Sequence, residues 1–285
     1  MSFQNLITFN QHNRRQITIL LGYHFLWCCT LIGLWAVAQP ISTATPWWSA
    51  GFVALQLYIA SQLLLPALRM QPEPRTRGFY FFWLSSLILI LWLLNQIPAM
   101  GTWQLPLSGI TSALLLLIGT LIGTALARFV NRLWEIIPIC IAMALADLFS
   151  WFMGPTANFA KDIEQYYLDP VGPPPLIDMV LVKFTLPGAA TLIPVFGISD
   201  WIMVAFFVNV SRRYSINDNL VGLSDELLAE KKIRGRYLPL PVVALFAAVQ
   251  LAHTSGLFIP VLPLIAIIML LWYASYSLRS RRSLS

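Results

Sequence analysis

The chain has 285 residues, 58% of them hydrophobic and 11% charged, with a net charge of +6 and a mean hydropathy of +0.72. That composition excludes an ordinary soluble domain and belongs to a protein that crosses a membrane several times. The positive charge sits in short loops between apolar runs, with no basic tail or arginine–aromatic patch, so it argues for membrane orientation and against nucleic acid.

Eleven Trp and nine Tyr suit two interfacial belts, where amphipathic rings favour the headgroup level. The cysteines Cys28, Cys29 and Cys140 all fall in apolar runs and read as small core residues. Neither they nor the histidines have metal-ligand spacing, so no metal or other cofactor is expected. The first residues are polar up to Ile17 and the apolar run that follows is long enough to span, so no cleavable signal peptide is expected.

Taken in order, runs near twenty residues predict an all-α polytopic membrane protein with about eight transmembrane helices. They cover Ile17–Ala38, Trp47–Leu68, Phe79–Ile97, Leu105–Ala127, Leu133–Met153, Leu192–Val210, Leu238–His253 and Leu257–Ser277. The whole of 1–285 reads as one membrane domain: a four-helix part at 17–127, then a part at 133–277 that carries the chemistry. Arg14 and Arg15, Arg69 to Arg77, Arg128 and Arg132, Arg212 to Arg236, and Arg279 to Arg282 occupy alternate loops, while the intervening short loops carry no charge. The positive-inside rule then predicts both termini in the cytoplasm, in the inner membrane of a microbial cell.

Two connections are long. Residues 154–191 lie outside by this topology, and three conformations fit their run Ile177–Phe184: a surface strand, a re-entrant turn, or an early start of the sixth helix. Asp162, Asp169 and Asp178 in this loop read as solvated. Residues 211–237 lie inside, where Ser224 caps a short amphipathic surface helix with Asp225 and Glu226 in its first turn and Lys231 and Lys232 in its last.

Chemistry points to two residues, Asp147 in Ala144–Ser150 and Asp200 in Phe196–Met203, both within apolar spans. An aspartate at mid-bilayer costs about 2.5–3.5 kcal/mol on insertion scales, so it is normally kept for a partner or a function. Asp147 falls near the end of the fifth helix and Asp200 about two turns into the sixth. Antiparallel packing of the two helices predicts both carboxylates at one depth, on the order of 10 Å below the outer interface. Two close carboxylates in low dielectric hold one proton between them and titrate as a pair. The pair suits aspartyl proteolysis, and it also suits a proton or cation pathway. A purely structural role, each aspartate bonding a local hydroxyl or backbone group, stays open. His24, Gln56, Gln62, Asn209, Gln250 and His253 read as interhelical hydrogen-bonding groups or interfacial residues, and Glu135 as finding water or Arg132.

Gly197-Ile198-Ser199-Asp200 resembles the Gly-x-Gly-Asp motif of the presenilin and signal peptide peptidase family of intramembrane aspartyl proteases. Asp147 stands one helix earlier, where that family has its first catalytic aspartate; Gly154-Pro155 is similar to the turn that follows, and Pro260-Val261-Leu262-Pro263 to the family's Pro-Ala-Leu-Pro. The resemblance implies a presenilin-like bundle with Asp147 and Asp200 as the catalytic dyad. It makes Gly197, Ile198 and Ser199, with Pro260, Val261 and Leu262, the substrate-binding surroundings. It implies that Ile177–Phe184 pairs with an unwound substrate strand, and that partners are transmembrane helices or signal peptides in the lipid bilayer. Ser199 departs from the motif's second glycine, Ala146 from a common tyrosine and Val261 from alanine, so a non-catalytic relative that binds membrane helices is a further reading beside the transporter.

Overall fold

A computed structural model describes residues 3–41, 46–70, 77–97, 103–153, 162–163, 165–167, 174–222, 236–255 and 260–282. Gly154-Pro155, Lys161, Glu164, Asp169, Gly172-Pro173 and the Ser224–Lys232 segment lie outside the described residues. The fold is mostly helical, and among the described residues six helices are long and apolar enough to cross a membrane. Its helices are α1 (Phe3–Ala38), α2 (Pro46–Ser61), α3 (Leu64–Met70), α4 (Arg77–Asn95), α5 (Gln104–Ala127), α6 (Ile136–Phe152), α7 (Ile198–Arg213), α8 (Leu240–Ser255) and α9 (Val261–Arg282). A 3₁₀ turn, Leu133–Glu135, leads into α6.

Two features depart from an all-α chain with eight continuous spans. The second span is broken between α2 and α3, because Pro66 has no N–H to give the carbonyl of Gln62 and its ring crowds that carbonyl. Two side chains at the break reach a distant backbone group: Ser61 Oγ and Gln62 Nε2 donate to the carbonyl of Tyr237 at 2.6 and 2.7 Å. The second departure is a hairpin of β1 (Leu181–Phe184) and β2 (Ile193–Gly197), antiparallel, with Val195 as the extra residue where the register slips. The span expected from Leu192 therefore begins as a strand, and its helix starts at Ile198. An apolar run of β-branched residues broken by Pro194 suits a buried strand, and length alone does not separate it from a helix.

The centre of the molecule is α5, whose apolar span is 72% buried, against 6% for α4 and 11% for α6. Its main neighbour is α7, and the reason is a pair of glycines one turn apart. A Cβ on Gly123 would lie 2.5 Å from the carbonyl oxygen of Ile202 and 2.7 Å from Ala205 Cβ, and one on Gly119 would lie 3.0 Å from Trp201 Cδ1. Small residues at this spacing let two backbones approach in an environment with no water to drive association. Polar side chains finish the seam: Trp201 Nε1 donates to Thr120 Oγ1 at 3.0 Å, and Asn209 Nδ2 donates to Thr124 Oγ1 at 3.2 Å and to the carbonyl of Ala205 at 2.6 Å.

A row of aromatic rings ties α1, the hairpin and α7 into one core. Trp27 meets Phe184 edge-on at 5.7 Å, Phe184 meets Phe196 at 5.4 Å, and Phe196 stacks on Trp201 at 6.3 Å. Gly123→Ala should destabilise the protein by about 1–3 kcal/mol because backbone, not a flexible side chain, blocks the new methyl. Gly33→Ala, with nothing within 4 Å of the added carbon, is the matched control and should hold or slightly raise stability. Thermal unfolding of both variants in detergent is the measurement.

Candidate active site

The hairpin is what delivers Asp200, so its attachment comes first. Inside an apolar bundle every strand N–H and carbonyl must find a partner. The edge of β1 that faces away from β2 is closed by side chains from two helices. Ser112 Oγ of α5 donates to the carbonyl of Lys183 at 3.0 Å and accepts its N–H at 2.8 Å. Gln56 of α2 does the same for the next exposed peptide: its Nε2 donates to the carbonyl of Thr185 and its Oε1 accepts the Thr185 N–H, both at 2.8 Å. Thr185 Oγ1 then donates to the carbonyl of Leu31 at 3.0 Å, and Trp35 and Gln39 hold the loop carbonyls of Ala190 and Ala189. The Ile177–Phe184 run thus has no edge to offer a substrate, contrary to the expectation from resemblance. Its first residues form a 3₁₀ turn, Leu176–Val180, and its strand pairs with β2 on one side and is bonded by Ser112 and Gln56 on the other. The sheet's remaining edge, unpaired by any described strand, belongs to β2.

At the far end of β2 the chain turns directly into α7. Asp200 is the third residue of that helix, rather than two turns inside it as the sequence suggested, and its Oδ2 accepts the Gly197 N–H at 2.9 Å. Gly197 is the residue before the helix, so the carboxylate satisfies one of the donors that a helix start leaves open and sits at the positive end of the helix dipole. Asp200 is buried. Ser199 is exposed beside it, and its Oγ lies 3.2 Å from where a Cβ on Gly197 would be. Ile198 packs on α5, touching the place a Gly119 Cβ would take.

Asp147 lies five residues before the end of α6 and is half-buried. Its Oδ2 accepts the backbone N–H of Leu262 at 3.1 Å. Leu262 is the second residue of α9, and Pro263 behind it has no N–H, so the first turn of α9 has few donors and one of them is given to Asp147. Pro260, Val261 and Leu262 are all half-buried around this contact. The two aspartates come close enough for the charge of Asp147 to act on Asp200. They meet by a different route from the expected one. Among the described residues α6 packs mainly along α9 and α7 along α5, with no extended seam between the two aspartate helices.

Several other residues stand where the sequence did not put them. Asp178 is buried, not solvated: Lys183 Nζ pairs with its Oδ2 and the Tyr167 hydroxyl donates to its Oδ1 at 3.0 Å. Burial and the charge of Asp178 push the Tyr167 hydroxyl well above its usual range, which keeps it a donor. Cys28 and Cys140 are buried as core residues, whereas Cys29 is exposed on the apolar surface; all three are free. Glu135 accepts the N–H of Asn131 at 2.8 Å, and His253 is exposed. Gln56 and Gln62 read correctly as bonding groups, but their partners are backbone carbonyls of the hairpin and of Tyr237 rather than other helices' side chains.

No family model, curated protein or solved structure matches the chain.

Gln56→Leu should strand both the N–H and the carbonyl of Thr185 in an apolar core, at about 1–3 kcal/mol for each group left unmatched. Hydrogen exchange is expected to rise at residues 183–185 while the α5–α7 seam stays protected. Unchanged exchange in β1 would show that the hairpin does not depend on this amide.

Proposed function

We propose that the protein is an intramembrane aspartyl protease that hydrolyses peptide bonds within transmembrane helices or remnant signal peptides, using Asp147, Asp200 and a water molecule. The observation that carries this reading is that two carboxylates from different apolar helices lie within electrostatic reach of each other, each docked through one oxygen on a backbone N–H at a helix start. The docked atom is Oδ2 in both, so the contacts leave the Oδ1 atoms to the reaction. One carboxylate, ionised, takes a proton from the attacking water; the other, protonated, donates to the scissile carbonyl oxygen. The edge of β2 ends at Gly197, three residues before Asp200, which supports capture of an unwound substrate as an added strand there rather than on β1.

On this reading the motif resemblance extends to the fold, a presenilin-like bundle in which the short α7 and α8 join the six long helices as membrane crossings. The alternating loop charges support cytoplasmic termini in a cell membrane. Gly197, Ile198, Ser199, Pro260, Val261 and Leu262 surround the substrate's scissile bond.

The test is incubation of the purified, detergent-solubilised protein with a panel of transmembrane peptides, with products identified by mass spectrometry. Asp147→Ala and Asp200→Ala should each lower cleavage by about 10²–10⁴-fold, the range for loss of a general acid or base. Full activity surviving either change would refute the assignment. The rate should follow a bell-shaped pH profile, because one carboxylate must be ionised and the other protonated. A flat profile from pH 4 to 8 would be inconsistent with a carboxylate dyad.

One observation favours a second reading, a non-catalytic relative that holds membrane helices: Ser199 Oγ occupies the space beside Gly197 and Asp200 that the family's glycine leaves open. Cleavage that appears only in Ser199→Gly supports this second reading for the natural chain.

A further inference from the structure

α9 touches both halves of the candidate site, and the described contacts show where. Near its start the Leu262 N–H holds Asp147, and along its length it packs on α6. Three turns further on, Tyr273 is buried and its hydroxyl lies 3.3 Å from the carbonyl oxygen of Phe207 and 3.0 Å from Ser211 Oγ, both on α7. A carbonyl only accepts, so the tyrosine is the donor in its contact with Phe207, while in the closer contact with Ser211 either hydroxyl can donate. Ser211 and Phe207 are both fully buried, so no water competes for these bonds. Two neighbours on α9 reach the loop that follows α7: Trp272 Nε1 donates to the carbonyl of Asn217 at 3.2 Å and the Tyr276 hydroxyl to that of Ser215 at 3.1 Å.

We propose that Tyr273 is a positioning residue for the aspartate pair, a staple that fixes α9, and Asp147 with it, against the helix that carries Asp200. Among the described residues α6 has little packing of its own beyond α9, so the relation of Asp147 to Asp200 is set by how α9 sits on α7 and on α8, which packs against both. The direct contact of α9 with α7 is narrow, and the tyrosine's two bonds lie within it. Losing them loosens α9 on α7, leaving α8 and the Trp272 and Tyr276 bonds as its other ties, and the far end of the lever is the first turn of α9, where Asp147 is held. The catalytic consequence rests on the protease reading; the geometric one does not.

The test therefore has two arms in the full-length protein. For geometry, Ala146→Cys and Ser199→Cys, both at exposed positions next to the aspartates, are introduced after Cys28, Cys29 and Cys140 are replaced by alanine. Cross-linking by a short bifunctional thiol reagent is timed with and without Tyr273→Phe. For chemistry, kcat and KM are measured on a cleaved peptide for Tyr273→Phe and Ser211→Ala in the otherwise natural chain. Tyr273→Phe should slow cross-linking by about fivefold and lower kcat by roughly 10–100-fold with KM within about twofold, as expected for misplacing reacting groups by about an ångström. Ser211→Ala keeps the bond to Phe207 and should move both readings less, in the same direction. If Tyr273→Phe does not fold, Ser211→Ala decides by the same readings. A lower melting temperature with unchanged cross-linking and kcat would make the tyrosine merely structural and overturn the proposal. If the natural chain cleaves nothing, the protease reading fails, and the cross-linking rate alone upholds or overturns the staple.

Discussion

A carboxylate in an apolar helical bundle persists only where donors meet it, and helix starts are where a protein has donors to spare. The first N–H groups of a helix have no partner within it, and the dipole favours negative charge there. Both aspartates use this. Asp200 reaches back to the Gly197 N–H at the start of α7, and Asp147 takes the Leu262 N–H at the start of α9. The rest of the architecture follows from bringing two helix starts together in one place. A strand must run into α7 without an intervening loop, and the prolines flanking Val261 and Leu262 must leave a first turn with an open donor.

That requirement explains why a β-hairpin exists inside a helical membrane protein at all. A strand exposes polar groups that lipid cannot satisfy, so the hairpin is tolerated only because Ser112, Gln56 and the backbone of β2 take up the groups of β1. The Phe184–Phe196–Trp201 stack then locks the hairpin to the start of α7. α5 is the foundation for both: Gly119 and Gly123 seat α7, and Ser112 on the same helix seats β1. The position of Asp200 is thus over-determined by α5. Asp147, on the lightly covered α6, depends on α9 alone among the described contacts.

Much of this was legible in the sequence, and the failures have physical causes. Six spans are plain because twenty apolar residues leave no other option. The two aspartates are conspicuous because charge is rare in such runs. The start of α7 was missed by six residues because Leu192–Phe196 is apolar and β-branched enough to be strand or helix, and only its pairing with β1 decides between them. Asp178 looked solvated because its partner, Lys183, lies across a change from 3₁₀ turn to strand, a geometry that no helical or strand spacing rule encodes. The Gly119–Gly123 spacing was in plain view, but a glycine pair in one apolar helix does not say which helix it seats. The amides Gln56 and Gln62 were read as bonding residues; that their partners are backbone groups follows from the hairpin and the break before α3, neither of which was foreseen.

The division between a fixed and a lightly held carboxylate bears on how such a site works. In the protease reading a transmembrane substrate must enter from the bilayer, unwind, and lie between the two aspartates, which a single rigid wall carrying both carboxylates would prevent. Here one wall is rigid: α5, the hairpin and α7 form a continuous core that includes Asp200 and the unpaired edge of β2. The other wall, α6 with α9, is held together at Asp147 by the Leu262 N–H and meets the rigid wall through the Tyr273, Trp272 and Tyr276 contacts of α9 with the later part of α7 and the loop after it. In the protease reading, the strand edge on the rigid wall fixes the register of the substrate before the mobile wall brings Asp147 to it. On that reading, capture by β2 and assembly by α9 are separate tasks because the two helix starts are anchored in different ways.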